Sequence, residues 1–283
     1  MLDLTYPLLL DGATGTGLQA AGMPAGASTE QWVLENPQAL VKLQRDYVAA
    51  GSQVVYAPTF GANRSLLQLH HIDTDVEKLN HQLIAISKEA VGDAAIIAGD
   101  MTTTGNSFFD EYEETLDIYR EQAAAIKSAG LELVVGETLL SLDEGSAILE
   151  AAQEVGLSCF ISFSVDQNGR NLSGQPLERC LKEMQEKGAA AVGVNCSSGI
   201  DTLPPLLEKL VPQMEVPVLV KANASLYKLG QMIGSVSPTD YAAYIRRLRK
   251  IGVRIVGGCC GSTPAHIAAI RALLDSEKFS AKG

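Results

Sequence analysis

The chain has 283 residues, 46% apolar and 19% charged, with 22 Lys and Arg against 33 Asp and Glu for a net charge of -11. This composition supports a sizeable core and excludes extended disorder, and an acidic chain without clustered basic residues is not built to neutralise nucleic-acid phosphates. No stretch reaches 18 uninterrupted apolar residues, Met1-Leu2-Asp3-Leu4-Thr5 has no basic leader, and five cysteines are too sparse for a disulfide scaffold, so a reduced, cytoplasmic protein without a membrane partner is expected.

In chain order, short aliphatic runs occur at Leu8–Leu10, Val54–Ala57, Ala95–Ala98, Leu133–Val135, Cys159–Phe163, Ala191–Val194, Val218–Val220 and Ile255–Val256. Near-continuous apolar runs suit parallel strands buried on both faces. Between them, Glu77–Val91, Glu111–Ala129, Leu142–Val155, Pro176–Lys187 and Tyr241–Ile251 carry apolar residues at helical spacing. Gly51, Gly92, Gly130, Gly156, Gly188 and Gly252 each fall three residues before a strand run, where a left-handed helix cap would feed a short loop. No Asn-Gly hairpin signal interrupts the alternation. Eight runs in this length predict an α/β fold, a single-domain (β/α)8 TIM barrel over residues 1–283, since such barrels take about 250 residues. A doubly wound open sheet is the competing architecture.

Barrel chemistry sits at the C-terminal strand ends. Those ends carry Asp11, Thr59-Phe60, Asp100, Glu137, Ser164, Asn195-Cys196, Lys221-Ala222-Asn223 and Cys259-Cys260. Cys196, Cys259 and Cys260 end the sixth and eighth runs, and three thiolates fit zinc with an open fourth position. Buried packing or a vicinal Cys259-Cys260 disulfide are the competing readings. Successive strand side chains face opposite ways, whereas two sulfurs on one zinc lie about 3.8 Å apart. Gly257-Gly258 and Gly261 would let the backbone turn both sulfurs to one side. Cys159 and Cys180 are expected to be inert.

Glu137 after an apolar strand suits a substrate ammonium, and Gly12–Gly17 would let backbone approach a ligand beside Asp11. Lys221 suits either a Schiff base or a side chain snorkelling outward. The turn Gly258–Thr263 before Pro264 is placed for phosphate, which with Lys221 would make a lyase or aldolase. His70-His71 reads as solvated and His266 as structural.

Asp11-Gly12-Ala13-Thr14-Gly15-Thr16, Thr59-Phe60-Gly61-Ala62-Asn63, Gly99-Asp100, Glu137-Thr138, Val194-Asn195-Cys196-Ser197 and Gly257–Pro264 together resemble the homocysteine S-methyltransferase family, most closely the homocysteine domain of cobalamin-dependent methionine synthase. The resemblance runs from residue 8 to about 275. It implies a (β/α)8 barrel, Zn2+ held by Cys196, Cys259 and Cys260, and methyl transfer to homocysteine or a related small thiol. Asp11, Gly12 and Glu137 would hold the amino acid part, with Asn195 beside the metal. Departures at Lys221-Ala222-Asn223-Ala224, Gly199-Ile200 and Gly136 surround the acceptor pocket. With folate and cobalamin modules not expected after Pro264, the donor would be a methylated corrinoid on a separate protein, S-methylmethionine or a betaine. A non-catalytic zinc-binding subunit of a methyltransferase complex is the further alternative.

Overall fold

The computed structural model describes residues 7–105, 111–197, 203–228 and 231–280, so Gly199-Ile200 lies outside the described residues. The apolar runs form β1 (Leu8–Leu9), β2 (Val54–Tyr56), β3 (Ile96–Met101), β4 (Leu133–Leu139), β5 (Ser158–Phe163), β6 (Ala191–Asn195) and β7 (Val218–Ala222). A short pair follows, β8 (Ser225–Lys228) and β9 (Gln231–Ser235), and then β10 (Ile255–Gly258). Parallel pairing runs β1-β10-β7-β6-β5-β4-β3-β2, and a parallel bridge from Leu10 to Val54 joins the two ends. The sheet is therefore a (β/α)8 barrel, and the open doubly wound alternative falls.

Strands in this position must be apolar on both faces. Leu8, Leu10, Val54, Ala98, Leu133, Val135, Phe160, Ala191, Leu219 and Ile255 pack as one interior cluster. Leu9, Val55, Ile97, Val134, Ile161, Val192, Val220 and Val256 belong to the larger cluster shared with the helices.

All five expected helices are present, as Val76–Val91, Tyr112–Ser128, Leu142–Glu154, Leu177–Glu186 and Pro238–Ile251. The six glycines that precede strands all have positive φ. Gly252 adopts the left-handed cap with φ 109 and ψ 7, whereas Gly92, at φ 54 and ψ -131, leaves its helix outside that conformation.

Two features depart from the sequence reading. Helices Thr14–Ala20, Thr29–Glu35 and Pro37–Ala49 fill the long β1–β2 connection. Leu18, Met23, Val33 and Leu40 pack there against Leu67, Leu79 and Leu83 as a satellite core, and the glycine-rich stretch after Asp11 is helical from Thr14 onward. The antiparallel β8–β9 pair was not expected, because its short, mixed strands carry no Asn-Gly signal. Among the described residues no helix is long and apolar enough to cross a membrane.

Candidate active site

The mouth of the barrel opens into a cavity of about 250 Å³ whose wall includes Gly12, Tyr56, Asp100, Glu137, Lys221 and the three cysteines. The sulfurs of Cys196, Cys259 and Cys260 lie within 4.8 Å of one another, with 3.6 Å between Cys196 Sγ and Cys260 Sγ. Backbone geometry explains how adjacent cysteines share a side. Cys259 still donates its N–H to the Ala222 carbonyl, in strand register, but its own carbonyl accepts from Ser262 N–H at 3.0 Å. That i to i+3 bond closes a turn with Gly261 third, at φ 81, where an L residue would be strained. Cys196 also has positive φ, at 45, and is held by its N–H to the Lys221 carbonyl and by Ser164 Oγ donating to its own carbonyl.

The sulfurs share their protons. Hydrogen bonds from Cys196 and Cys259 push Cys260 down to about 3, while the same contacts raise Cys196. Cys159 and Cys180 are buried away from the site, and burial lifts their thiols to about 12 and about 11. Neither lines the cavity.

Lys221 neither snorkels nor stands free. It is 3% exposed, with Nζ 2.9 Å from Asp11 Oδ1, 3.8 Å from Glu137 Oε2 and 3.5 Å from the centre of the Tyr56 ring. Burial alone would depress its pKa, but Asp11 and Glu137 outweigh burial and hold it well above its usual value. Asp11 is saturated from both sides, since its other oxygen accepts from Tyr56 N–H at 2.8 Å. Asp11 stands behind the cavity wall, whereas Gly12 forms part of it.

Glu137 and Asp100 face the cavity, each with a buried carboxylate oxygen that has no hydrogen-bond partner. Burial pushes Glu137 up to about 7 against the pull of Lys221, and burial with the neighbouring Glu137 charge raises Asp100 well above its usual range.

Just past Glu137, β4 is irregular: the register with β5 shifts between Gly136 and Leu139 and Thr138 takes φ 59. A β-branched residue there is strained. Asn195 over-determines it, with Oδ1 accepting from Thr138 N–H and Nδ2 donating to Thr138 Oγ1, both at 2.8 Å. Ser162 Oγ donates to the same Oδ1, so both polar atoms of the buried Asn195 side chain are engaged within the protein, and Asn195 does not line the cavity.

The Gly258–Thr263 turn is also satisfied internally. Gly258 N–H goes to the Asp11 carbonyl, Gly261 N–H to Thr16 Oγ1, Ser262 N–H to the Cys259 carbonyl and Thr263 N–H to His266 Nδ1. Ser262 Oγ in turn accepts from Ala13 N–H, tying the first strand's loop to the last. These four donors are engaged within the protein, which weakens the phosphate reading. His266 spans Thr263 and the Val236 carbonyl and is structural; His70 and His71 are exposed. Thr59 joins β2 to β3, exchanging hydrogen bonds with the Asp100 backbone. Sequence reasoning assigned no role to Tyr56 or Thr138 and left Asp100 as a bare strand-end acid.

Comparison with known proteins covers nearly the whole chain. The family model described as homocysteine S-methyltransferase matches residues 8–274. Methionine synthase of Mycobacterium tuberculosis is 28% identical over 295 residues, which cover 95% of this chain and 24% of that protein. The chain thus spans about a quarter of the length of the methionine synthases it matches. Homocysteine S-methyltransferase YbgG of Bacillus subtilis is 26% identical over 306 residues, covering 97% of this chain and 96% of its own. The crystal structure of the oxidised homocysteine methyltransferase MmuM from Escherichia coli superposes with a TM-score of 0.80 at 25% identity, covering 94% of this chain and 95% of that one.

Proposed function

The chain belongs to the homocysteine S-methyltransferase family, and from that premise we propose a zinc-dependent thiol S-methyltransferase that converts homocysteine to methionine, with residues 1–283 working as one barrel. The observation that carries this reading is the three-sulfur cluster on the wall of the cavity at the barrel mouth. Its 3.6 Å contact between Cys196 and Cys260 is near the separation of about 3.8 Å that two sulfurs take on a tetrahedral zinc. The donor set is all thiolate with no fourth protein ligand among the described residues, the pattern of a site that keeps a position for substrate. When bound, zinc supplies Lewis acidity that deprotonates a thiol at neutral pH, where a free thiol of pKa about 8.5 keeps its proton.

The chain's own residues do the rest. Cys196, Cys259 and Cys260 hold the metal and set its charge. Glu137 receives the ammonium of the acceptor and Gly12 offers backbone beside it. Asp11 and Asn195 act from behind, Asp11 by fixing Lys221 and Asn195 by fixing the Thr138 turn. Holding the acceptor in one orientation makes the transfer effectively unimolecular. The new S–CH3 bond forms from the sulfur lone pair as the donor's bond to the methyl carbon breaks, and the donor keeps that bonding pair. The donor is a methylated corrinoid on a separate protein, S-methylmethionine or a betaine. The lyase reading loses ground, since Lys221 is tied to Asp11 at 2.9 Å and most backbone donors of the strand-eight turn are engaged within the protein.

The test is methionine formation, followed by mass spectrometry, from L-homocysteine and each donor class with zinc-loaded protein. Methionine should appear with one class and fall at least about 100-fold in Cys260→Ser, a larger loss than the 10- to 100-fold typical of residues that only support a metal ligand. Full zinc loading with no methionine from any donor would instead mark a non-catalytic zinc-binding subunit.

A further inference from the structure

We propose that Tyr241 is a positioning residue for the metal centre, its buried hydroxyl setting where Cys259 and Cys260 stand, with His266 bracing the far end of the same turn. This rests on the zinc methyltransferase reading and adds to it the groups that hold the sulfurs in place. Cys260 needs such holding. Strand alternation would send it away from Cys259, and only the turn closed by Ser262 N–H on the Cys259 carbonyl returns it to the cavity.

Tyr241 comes from helix Pro238–Ile251 and is fully buried. A phenol so placed needs a partner for its hydroxyl, and Tyr241 Oη lies 2.7 Å from the Ala222 carbonyl and 3.0 Å from the Gly257 carbonyl. Both carbonyls belong to the frame of the sulfur cluster. Ala222 ends β7, and Gly257 lies on β10 two residues before Cys259. The Ala222 carbonyl also accepts from Cys259 N–H at 2.8 Å, so one oxygen joins the Tyr241 hydroxyl to the backbone of that cysteine. The hydroxyl thereby straddles two strand ends just where the chain turns away from β10.

His266 secures the other end of the turn. Its Nδ1 accepts from Thr263 N–H at 3.2 Å, and Nε2, which then carries the proton, donates to the Val236 carbonyl at 2.9 Å. Its ring stands edge-on to Tyr241, with 5.5 Å between the ring centres and 86° between the planes. The two rings thus make one bracket, Tyr241 on the strand side of the cysteine pair and His266 on the helix side. Partners that stand behind metal ligands orient them, and losing one weakens metal binding with every ligand still present.

Zinc affinity of the reduced protein, measured by competition with a chromophoric chelator, tests the bracket. Tyr241→Phe keeps the ring and should weaken zinc binding about 10-fold, as for other partners of metal ligands. With Co2+ in place of zinc, the ligand-field bands of the same variant should shift. Tyr119→Phe is the control. Tyr119 Oη donates to the Thr102 carbonyl at 3.0 Å, just past β3, so this variant loses a bond of the same kind and should leave zinc affinity and cobalt bands unchanged. His266→Phe keeps the edge-on ring and should match Tyr241→Phe, which preserves the test if Tyr241→Phe does not fold. Unmoved affinity or unmoved bands in the folded bracket variants, or an equal change in Tyr119→Phe, overturn the bracket and leave the zinc reading standing. A wild type that holds no zinc overturns the zinc reading and the bracket together.

Discussion

On the side of the mouth built from β1, β10, β7 and β6, the buried charges and sulfurs answer one another: Lys221 is paired with Asp11, Ser262 with the Ala13 backbone, and the sulfurs are in mutual contact. On the opposite side, β2, β3 and β4 bring Tyr56, Asp100 and Glu137 to the same depth and leave an oxygen of each without a partner. Both walls contribute residues to one cavity. What differs is whether partners were supplied by the chain. The first wall pairs its buried charges within the chain, although Asn223 Oδ1 and Ser225 Oγ beside it lack hydrogen bonds, whereas the second keeps two carboxylate oxygens without one.

Breaking the closed wall should have the larger effect. Asp11→Asn leaves Lys221 buried with Glu137 at 3.8 Å as its nearest acid, and losing one partner of a buried ion pair costs about 3–5 kcal/mol. Urea denaturation should show that loss, and a change below about 1 kcal/mol would mean that the pair does not hold that wall together. The open wall is tested through the residue that braces the turn beside Glu137. Asn195→Ala removes both bonds to Thr138 and should cost about 1–3 kcal/mol by the same measurement. Thr138→Gly added to Asn195→Ala should restore about 1 kcal/mol, because glycine adopts the positive φ without strain. No restoration would mean that Asn195 does not act by holding that turn.

Much of this was legible because side chains alternate along a strand. Ala98, Leu133, Val135 and Leu219 face the interior, so Asp100, Glu137 and Lys221, each two residues beyond one of them, must face it too. The same count exposes what was overlooked: Tyr56 follows inward-facing Val54 by two and could have been placed in the site from the sequence. Parity also puts Cys259 inside, four residues past Ile255, and Cys260 outside. Only the turn at Gly261 brings Cys260 back, as the flanking glycines suggested.

Pairing across long sequence separation was not legible. Lys221 and Asp11 are 210 residues apart, and Asn195 reaches Thr138 across 57, so one looked like a free amine and the other like a metal neighbour. The β8–β9 pair escaped for a local reason, since four- and five-residue mixed strands do not announce a hairpin.

The most direct test of the account is the zinc K-edge X-ray absorption spectrum of reduced protein, with and without L-homocysteine. Three sulfurs and one light atom without the thiol, becoming four sulfurs with it, is the predicted result. A reconstituted protein that holds no zinc, or three sulfurs unchanged by homocysteine, would contradict it.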